Sequence, residues 1–305
     1  MAGKSIRLFL VDGDYNGLIT AELVNWTGHT LAGPRSELPN LLSRDECHQR
    51  TGIYFLISRE SSDSGLSVYI GESDDIAKRL KQHSRPESSG GKDFWDYVVV
   101  ITSKDGNLTK AHVKYLESRL ISITKDVGRC SLINSVTPEF TSLPESDSSD
   151  MEFFIKQVQM VVPAIGFTFL KPVKKSIDSG SGDSVIYLLE SPKHRLRARA
   201  TEDGADFIVL KGSDSIGKWN GKNGGYGRLY RELCDRGVLE ETQNGRRVFT
   251  KDYAFSSPSA AAATVYGRST NGRQAWIVEG TGQTYHLYQS AKIAEVLPDN
   301  ETSEV

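Results

Sequence analysis

Apolar positions along the chain fall into two kinds of run. Short stretches rich in β-branched and aromatic residues read as strands: SIRLFLV (Ser5–Val11), LITAELVNW (Leu18–Trp26), the apolar parts of Gly52–Ile57 and Leu66–Ile70, and WDYVVVI (Trp95–Ile101). Other segments repeat apolar residues three and four apart, as a helix with one buried face does. Thr109–Thr124 carries Val113, Leu116, Leu120 and Ile123 on one stripe. Ser73–His83 opens with Ser73 as a helix N-cap and two acids in the first turn. Residues 51–137 therefore predict the order β-β-α-β-α, and RSELPNLLSRDE before them reads as a short helix or loop.

Beyond that region the pattern changes. Ser142–Asp150 (SLPESDSSD) is polar, acidic and serine-rich and reads as a linker. MEFFIKQVQMVVPAIGF reads as a helix ending before Pro163, and Lys174–Asp183 as a second linker. From Ser184, the runs SVIYLLE, RLRARAT and DFIVLKG predict three strands, and YGRLYRELCDRG a helix closed by Gly237. Ser257, Pro258 and Gly267 bracket an alanine-rich helix as cap, first residue and stop. Asn271-Gly272 predicts a hairpin-type turn before a strand QAWIVEG. The fold class is α+β: a small mixed sheet flanked by helices, linked to a second small α+β domain. The expected layout is an N-terminal extension at 1–50, a candidate addition to the first sheet; a domain at 51–140; a linker with a helix at 141–183; a second domain at 184–290; and a tail at 291–305.

Composition narrows the class. The 305 residues, 38% apolar and 25% charged, suit about two soluble domains. No apolar run approaches the roughly 18–20 residues of a membrane span, and the N-terminus lacks the pattern of a signal peptide. Three cysteines without a CxxC point to a reducing cytoplasm and no structural metal. The net charge of −2 is unevenly spread: Lys193–Arg273 holds 15 Lys/Arg against 9 Asp/Glu, whereas Glu139–Glu152 holds acids and no bases. A basic module of this kind is compatible with phosphate binding.

Candidate chemistry gathers around the first hairpin. Its strands carry Gly52-Ile53-Tyr54 and Tyr69-Ile70-Gly71, a tyrosine beside a glycine in mirrored order. On the following helix Ile76 and Leu80 mark the buried line. Arg79 flanks it, and His83 lies one turn further on the same side. Glu117 stands among apolar neighbours on the next helix, where a half-buried carboxylate is costly unless a cation or hydrogen bonds compensate. Taken singly, these are packing tyrosines, solvated Arg and His, and a glutamate in an ion pair or on a metal. Their order in combination is the stronger signal.

That ordered series resembles the GIY-YIG nuclease family over roughly residues 50–137, on Gly52-Ile53-Tyr54, Tyr69-Ile70-Gly71, Arg79, His83, Glu117 and Asn134 in SLINS. The loop Ser58–Ser67 is longer than the family's usual connection. The resemblance implies phosphodiester hydrolysis with one divalent metal, Mg2+ with Mn2+ as a substitute, held by Glu117. It implies that one tyrosine acts as base while the other orients water or phosphate. Tyr54 as base is preferred, with the reverse left open. A neighbouring cation such as Arg79 would favour the phenolate and offset transition-state charge. His83 would touch the phosphate or move a proton, and Asn134 would support or orient the phosphate.

Ser256–Trp276 (SSPSAAA, then GRS, NG and W) resembles an uncharacterised domain often fused after such nucleases. Trp276 reads as core, and Arg268 and Arg273 as candidate phosphate contacts. The expected function is a metal-dependent endonuclease acting on nucleic acid, DNA in the first instance, with the C-terminal domain positioning it. It would work as a dimer if it makes duplex breaks. The alternatives are a non-catalytic nucleic-acid-binding protein and a protein-interaction adaptor on the same fold. Every motif position holds a chemically competent residue, which favours the enzyme.

Overall fold

The computed structural model describes residues 3–59, 66–136, 138, 142–172, 185–222 and 224–296. They form two compact units, divided at Pro172.

In the first unit, β1 (Ile6–Leu10), β2 (Ile19–Leu23) and β3 (Gly28–Pro34) precede α1 (Leu38–Leu42). The motif hairpin follows as β4 (Gly52–Arg59) and β5 (Leu66–Ser73), then α2 (Ile76–His83), β6 (Tyr97–Ser103), α3 (Lys110–Val127), β7 (Cys130–Leu132) and α4 (Glu145–Ala164). All seven strands share one sheet in the order β1-β2-β3-β6-β4-β5-β7. Residues 6–34 thus build nearly half of it. β5 and β7 pair in parallel, which makes the sheet mixed.

The two-residue period of β4 sorts the layers. Ile53, Phe55 and Ile57 face α3 and α4 in one core. Tyr54 and Leu56 face the opposite side, with Ile76 and Leu80 of α2 and with Trp95. The tyrosine is therefore presented to α2.

Three local expectations need correction. The cap of α2 is Asp75, not Ser73. Its carboxylate accepts from the Lys78 amide at 3.0 Å, while Ser73 Oγ is bonded to the Asp75 backbone. Ser142–Asp150 is not a linker throughout, because α4 starts at Glu145. Its acidic first turns suit the positive helix end, and its buried face begins only at Met151 and continues through Phe154, Ile155, Val158, Val161 and Val162. Nor does the helix end before Pro163. That residue sits in the last turn, and Ala164 closes the helix. Lys174–Asp183 lies outside the described residues.

In the second unit, β8 (Tyr187–Ser191), β9 (Leu196–Asp203) and β10 (Asp206–Val209) form an antiparallel meander. Then come β11 (Asp214–Ser215), α5 (Gly225–Asp235), β12 (Leu239–Glu241), β13 (Arg247–Phe249), β14 (Tyr253–Phe255), α6 (Pro258–Tyr266), α7 (Gly272–Ala275), β15 (Ile277–Val278) and α8 (Tyr285–Val296). One sheet has the order β14-β10-β9-β8-β15 and a second β11-β13-β12. Alanines 260–262 of α6 pack into a core with Tyr187, Phe207 and Trp276.

Asn271-Gly272 is not a hairpin turn here. Asn271 caps α7 by accepting from the Arg273 amide, and Gly272 lies so close to the Pro258 carbonyl that a side chain would collide with it. The expected strand at QAWIVEG shortens to Ile277–Val278 for the same reason, since Gln274 and Ala275 belong to α7. Residues 291–296 continue α8 rather than forming a tail. Near its start that helix is tied down by Tyr285 and Gln289, which both donate to the Glu202 carboxylate.

Phe169, just after α4, is fully buried with its ring 5.3 Å from Phe55 in an edge arrangement. Phe169→Ala is expected to cost about 3–5 kcal/mol in urea unfolding. A residue in a mere tether would change stability by less than about 0.5 kcal/mol.

Candidate active site

The hairpin register sets Tyr54 opposite Gly71. A Cβ on Gly71 would fall inside the envelope of the Tyr54 hydroxyl and ring. Gly52 has the same need at the other end, where a Cβ would strike the Ile101 carbonyl of β6. The first glycine closes the sheet and the second clears room for a phenol.

Tyr54 is fully buried, so its hydroxyl must be satisfied from within. The helix α2 does this with two residues one turn apart. His83 Nε2 lies 2.8 Å from the Tyr54 hydroxyl, and Arg79 Nε donates to the same oxygen at 3.4 Å. Tyr69, also on this face, stands with its ring 6.3 Å from that of Tyr54 and edge-on to His83 at 5.7 Å. Lys92 lies over the Tyr69 ring at 4.3 Å, a cation–π contact, and its amide donates to the His83 carbonyl at 2.9 Å. The structure thus brings Tyr54, Tyr69, Arg79 and His83 together.

Burial governs the charges. It pushes the Tyr54 phenol well above the ordinary tyrosine range, with Tyr69 adding to the effect and Arg79 only partly opposing it. Arg79 does favour the Tyr54 phenolate, and desolvation outweighs it in the free protein. The same burial, reinforced by Arg79 and Lys92, pulls His83 down to about 4, so its imidazole is neutral at pH 7. Tyr69 is raised by burial and by the Glu117 carboxylate, against Arg79. A Tyr54 oxygen that accepts from Arg79 has its own hydrogen to give, and neutral His83 can receive it. His83 Nδ1 is buried without a protein partner among the described residues.

Glu117, on α3, is half-buried, and its carboxyl is pushed up to about 7 by burial and by neighbouring Glu72, with Arg79 and Lys110 pulling the other way. The Glu72 backbone N–H bonds to it. Glu72 pairs with Lys110 at 2.8 Å, and Lys110 also reaches Asp74 at 3.2 Å. These carboxylates are hard oxygen donors of the kind that hold Mg2+.

Asn134 lies against the backbone of β5. Its amide brackets one residue of β5, accepting from the Ile70 N–H at 2.9 Å and donating to the Ile70 carbonyl at 2.8 Å. It fixes the strand beside Tyr69 and has little left to offer a phosphate. In the second unit Arg268 and Arg273 are both exposed, and Arg273 contacts His286 at 3.2 Å. Sequence reasoning missed Glu72, Lys92 and Lys110. The only signal was that Glu72 directly follows Gly71 in the motif strand.

A buried phenol, a neutral histidine and an arginine thus meet on one face of the hairpin, with Glu72 and Glu117 nearby at its end. The comparison with protein families is specific. The GIY-YIG catalytic domain matches residues 50–129, and a domain of unknown function, DUF4357, matches residues 188–289. The chain carries a GIY-YIG nuclease domain followed by a DUF4357 domain, and nucleases of this family typically use a divalent metal. No curated protein and no solved structure matches the chain. No described helix is long and apolar enough to cross a membrane.

Because the folded Glu117 carboxyl is pushed up to about 7 from an ordinary value of 4.5, the folded state holds the extra proton between those two values. Stability from this group is present at low pH and lost as pH rises through about 7. Metal-free Glu117→Gln should therefore melt higher than wild type at pH 8 and nearly level with it at pH 5. Thermal unfolding at the two pH values checks the sign.

Proposed function

We propose that the first unit is a divalent-metal-dependent endonuclease that hydrolyses phosphodiester bonds, with DNA as its substrate and a cytoplasmic setting. The chain of hydrogen bonds from Arg79 through Tyr54 to neutral His83 carries this reading. The attacking water gives up a proton to the buried Tyr54 oxygen by way of the half-exposed Tyr69 hydroxyl that is hydrogen-bonded to it, while the Tyr54 proton passes to His83 Nε2. The hydroxide so formed attacks phosphorus, the bond to the 3′ oxygen breaks with its electron pair leaving on that oxygen, and solvent then protonates it to the 3′ hydroxyl. Tyr54 relays the proton and never needs to exist as a free phenolate. Tyr69, hydrogen-bonded to Tyr54 and Arg79, orients the water or the phosphate. Arg79 offsets charge that builds on the phosphoryl oxygens.

Glu117, with a carboxylate neighbour and no ion pair of its own among the described residues, suits a divalent cation. When bound there, Mg2+, with Mn2+ as a substitute, supplies Lewis acidity to the phosphate and to the leaving oxygen. His83 must accept a positive charge during the reaction, and Arg79 and Lys92 oppose that in the free protein. A phosphate lying against those two cations removes the opposition, so the base strengthens when substrate binds.

The C-terminal unit, in this reading, holds nucleic acid through exposed cations that include Arg268 and Arg273. A binding protein without catalysis is the second reading, and the same assays separate the two.

Cleavage of plasmid, linear duplex, single-stranded DNA and RNA with Mg2+ or Mn2+ is the direct test. Tyr54→Phe, Arg79→Ala, His83→Ala and Glu117→Gln should each lower the rate by about 100-fold or more. Well-folded wild type that binds these substrates and cuts none of them would establish the binding-only reading. In the full chain, Arg268→Ala with Arg273→Ala should weaken binding and reduce the salt slope by about 1–2. An unchanged slope would remove these two arginines from the interface.

A further inference from the structure

We propose that Glu72 is a second carboxylate of the divalent-cation site built on Glu117, and that Lys110 is its built-in counter-ion, which a bound metal displaces. This deepens the reading of Glu117 as the metal-holding residue and rests on it.

The placement follows from register. Glu72 pairs with Ile53, whose side chain faces α3, so Glu72 turns towards α3 while its neighbour Gly71 lies under Tyr54. Lys110 and Glu117 are seven residues apart on α3, two turns along the same face. Lys110 Nζ meets Glu72 at 2.8 Å and Asp74 at 3.2 Å, and the Glu72 backbone N–H meets the Glu117 carboxylate. One stretch of strand end is thus anchored by both residues.

Exposure separates the partners. The Glu72 side chain is only 14% exposed, and that of Lys110 is 44% exposed. A buried carboxylate is being neutralised by the tip of a long side chain that can return to water, where an ammonium is strongly solvated. Lys110 is shared between Glu72 and Asp74 and makes no ion pair with Glu117. Mg2+ is usually held by one or two carboxylates, with waters and substrate phosphates completing its shell. Lys110 also lines an open cleft of about 400 Å³ with Lys78 and Arg79. On release it is already in place to meet the phosphates of a bound strand.

An ordinary surface ion pair would behave differently. It would contribute about 0–1 kcal/mol and leave metal affinity untouched by either partner. The proposal makes the two partners act in opposite directions.

The test is Mn2+ binding to the full chain at pH 8 without nucleic acid, followed by titration calorimetry and by the loss of free-ion paramagnetic signal. Glu72→Gln should weaken binding about tenfold or more, and Glu72→Asp should recover part of it. Lys110→Met should tighten binding several-fold, and Lys110→Arg should stay near wild type. Circular dichroism confirms that each variant is folded. Wild-type affinity in both Glu72→Gln and Lys110→Met, with binding lost in Glu117→Gln, would overturn this proposal and leave the role of Glu117 standing. Binding that survives Glu117→Gln unchanged, or no Mn2+ uptake by wild type, would overturn both.

Discussion

The Tyr54 side chain is wholly buried between a sheet and α2, so its hydroxyl has to find its partners inside the protein. The rest of the site follows from that requirement. Gly71 must lack a side chain because the hydroxyl lies against it. The helix α2 must start at Asp75, which places Arg79 and His83 one turn apart over the phenol. The strand carrying Tyr69 must not slip, and Asn134 secures it by bonding both backbone groups of Ile70. A one-residue slip would turn Tyr69 into the opposite core. The mirrored Gly-Ile-Tyr and Tyr-Ile-Gly triplets thus come from one packing problem, a phenol held against a bare strand.

Much of this was legible in the sequence, for definite reasons. Hairpin and helices announce themselves by period, and Arg79 and His83 by their spacing from Ile76 and Leu80. What stayed hidden was whatever local pattern misrepresents. The acidic opening of α4 looks like a linker because its buried face begins six residues after its first residue, at Met151. Asn271-Gly272 looks like a hairpin turn because the Pro258 carbonyl that excludes a side chain is distant in sequence. Asn134 suggests a ligand because an amide clamp on a neighbouring strand leaves no mark in composition. Glu72 and Lys110 are 38 residues apart and meet only when β5 is laid beside α3.

The three N-terminal strands and α4 are more than appendages to the matched catalytic region. Ala21, Leu23 and Ala32 share a core with Phe55 of the motif strand and with Val158 and Phe169 at the far end of the unit. A small catalytic hairpin has too little apolar surface to hold a buried phenol rigidly. The flanking strands and helix supply that surface on both faces, and Leu18, Leu31 and Leu41 pack in the same core as Tyr54.

Charge is organised on the same plan. Burial makes both His83 and Glu117 resist ionisation, one by a lowered pKa and the other by a raised one. In the free protein the Glu117 shift costs stability as pH rises above the ordinary carboxylate range, and the His83 shift does so only as pH falls below about 6.5. Each is reversed by the charge that the proposed reaction would bring. A phosphate beside Arg79 and Lys92 makes a protonated His83 acceptable, and a divalent cation makes an ionised Glu117 favourable. In the proposed reaction the two ligands would also favour one another, since Glu117 lies within electrostatic reach of Arg79 and Tyr69. Binding energy from phosphate and metal is then spent on setting the proton inventory of the site. A lone metal or a lone phosphate completes only half of that arrangement, which restrains chemistry until both are present.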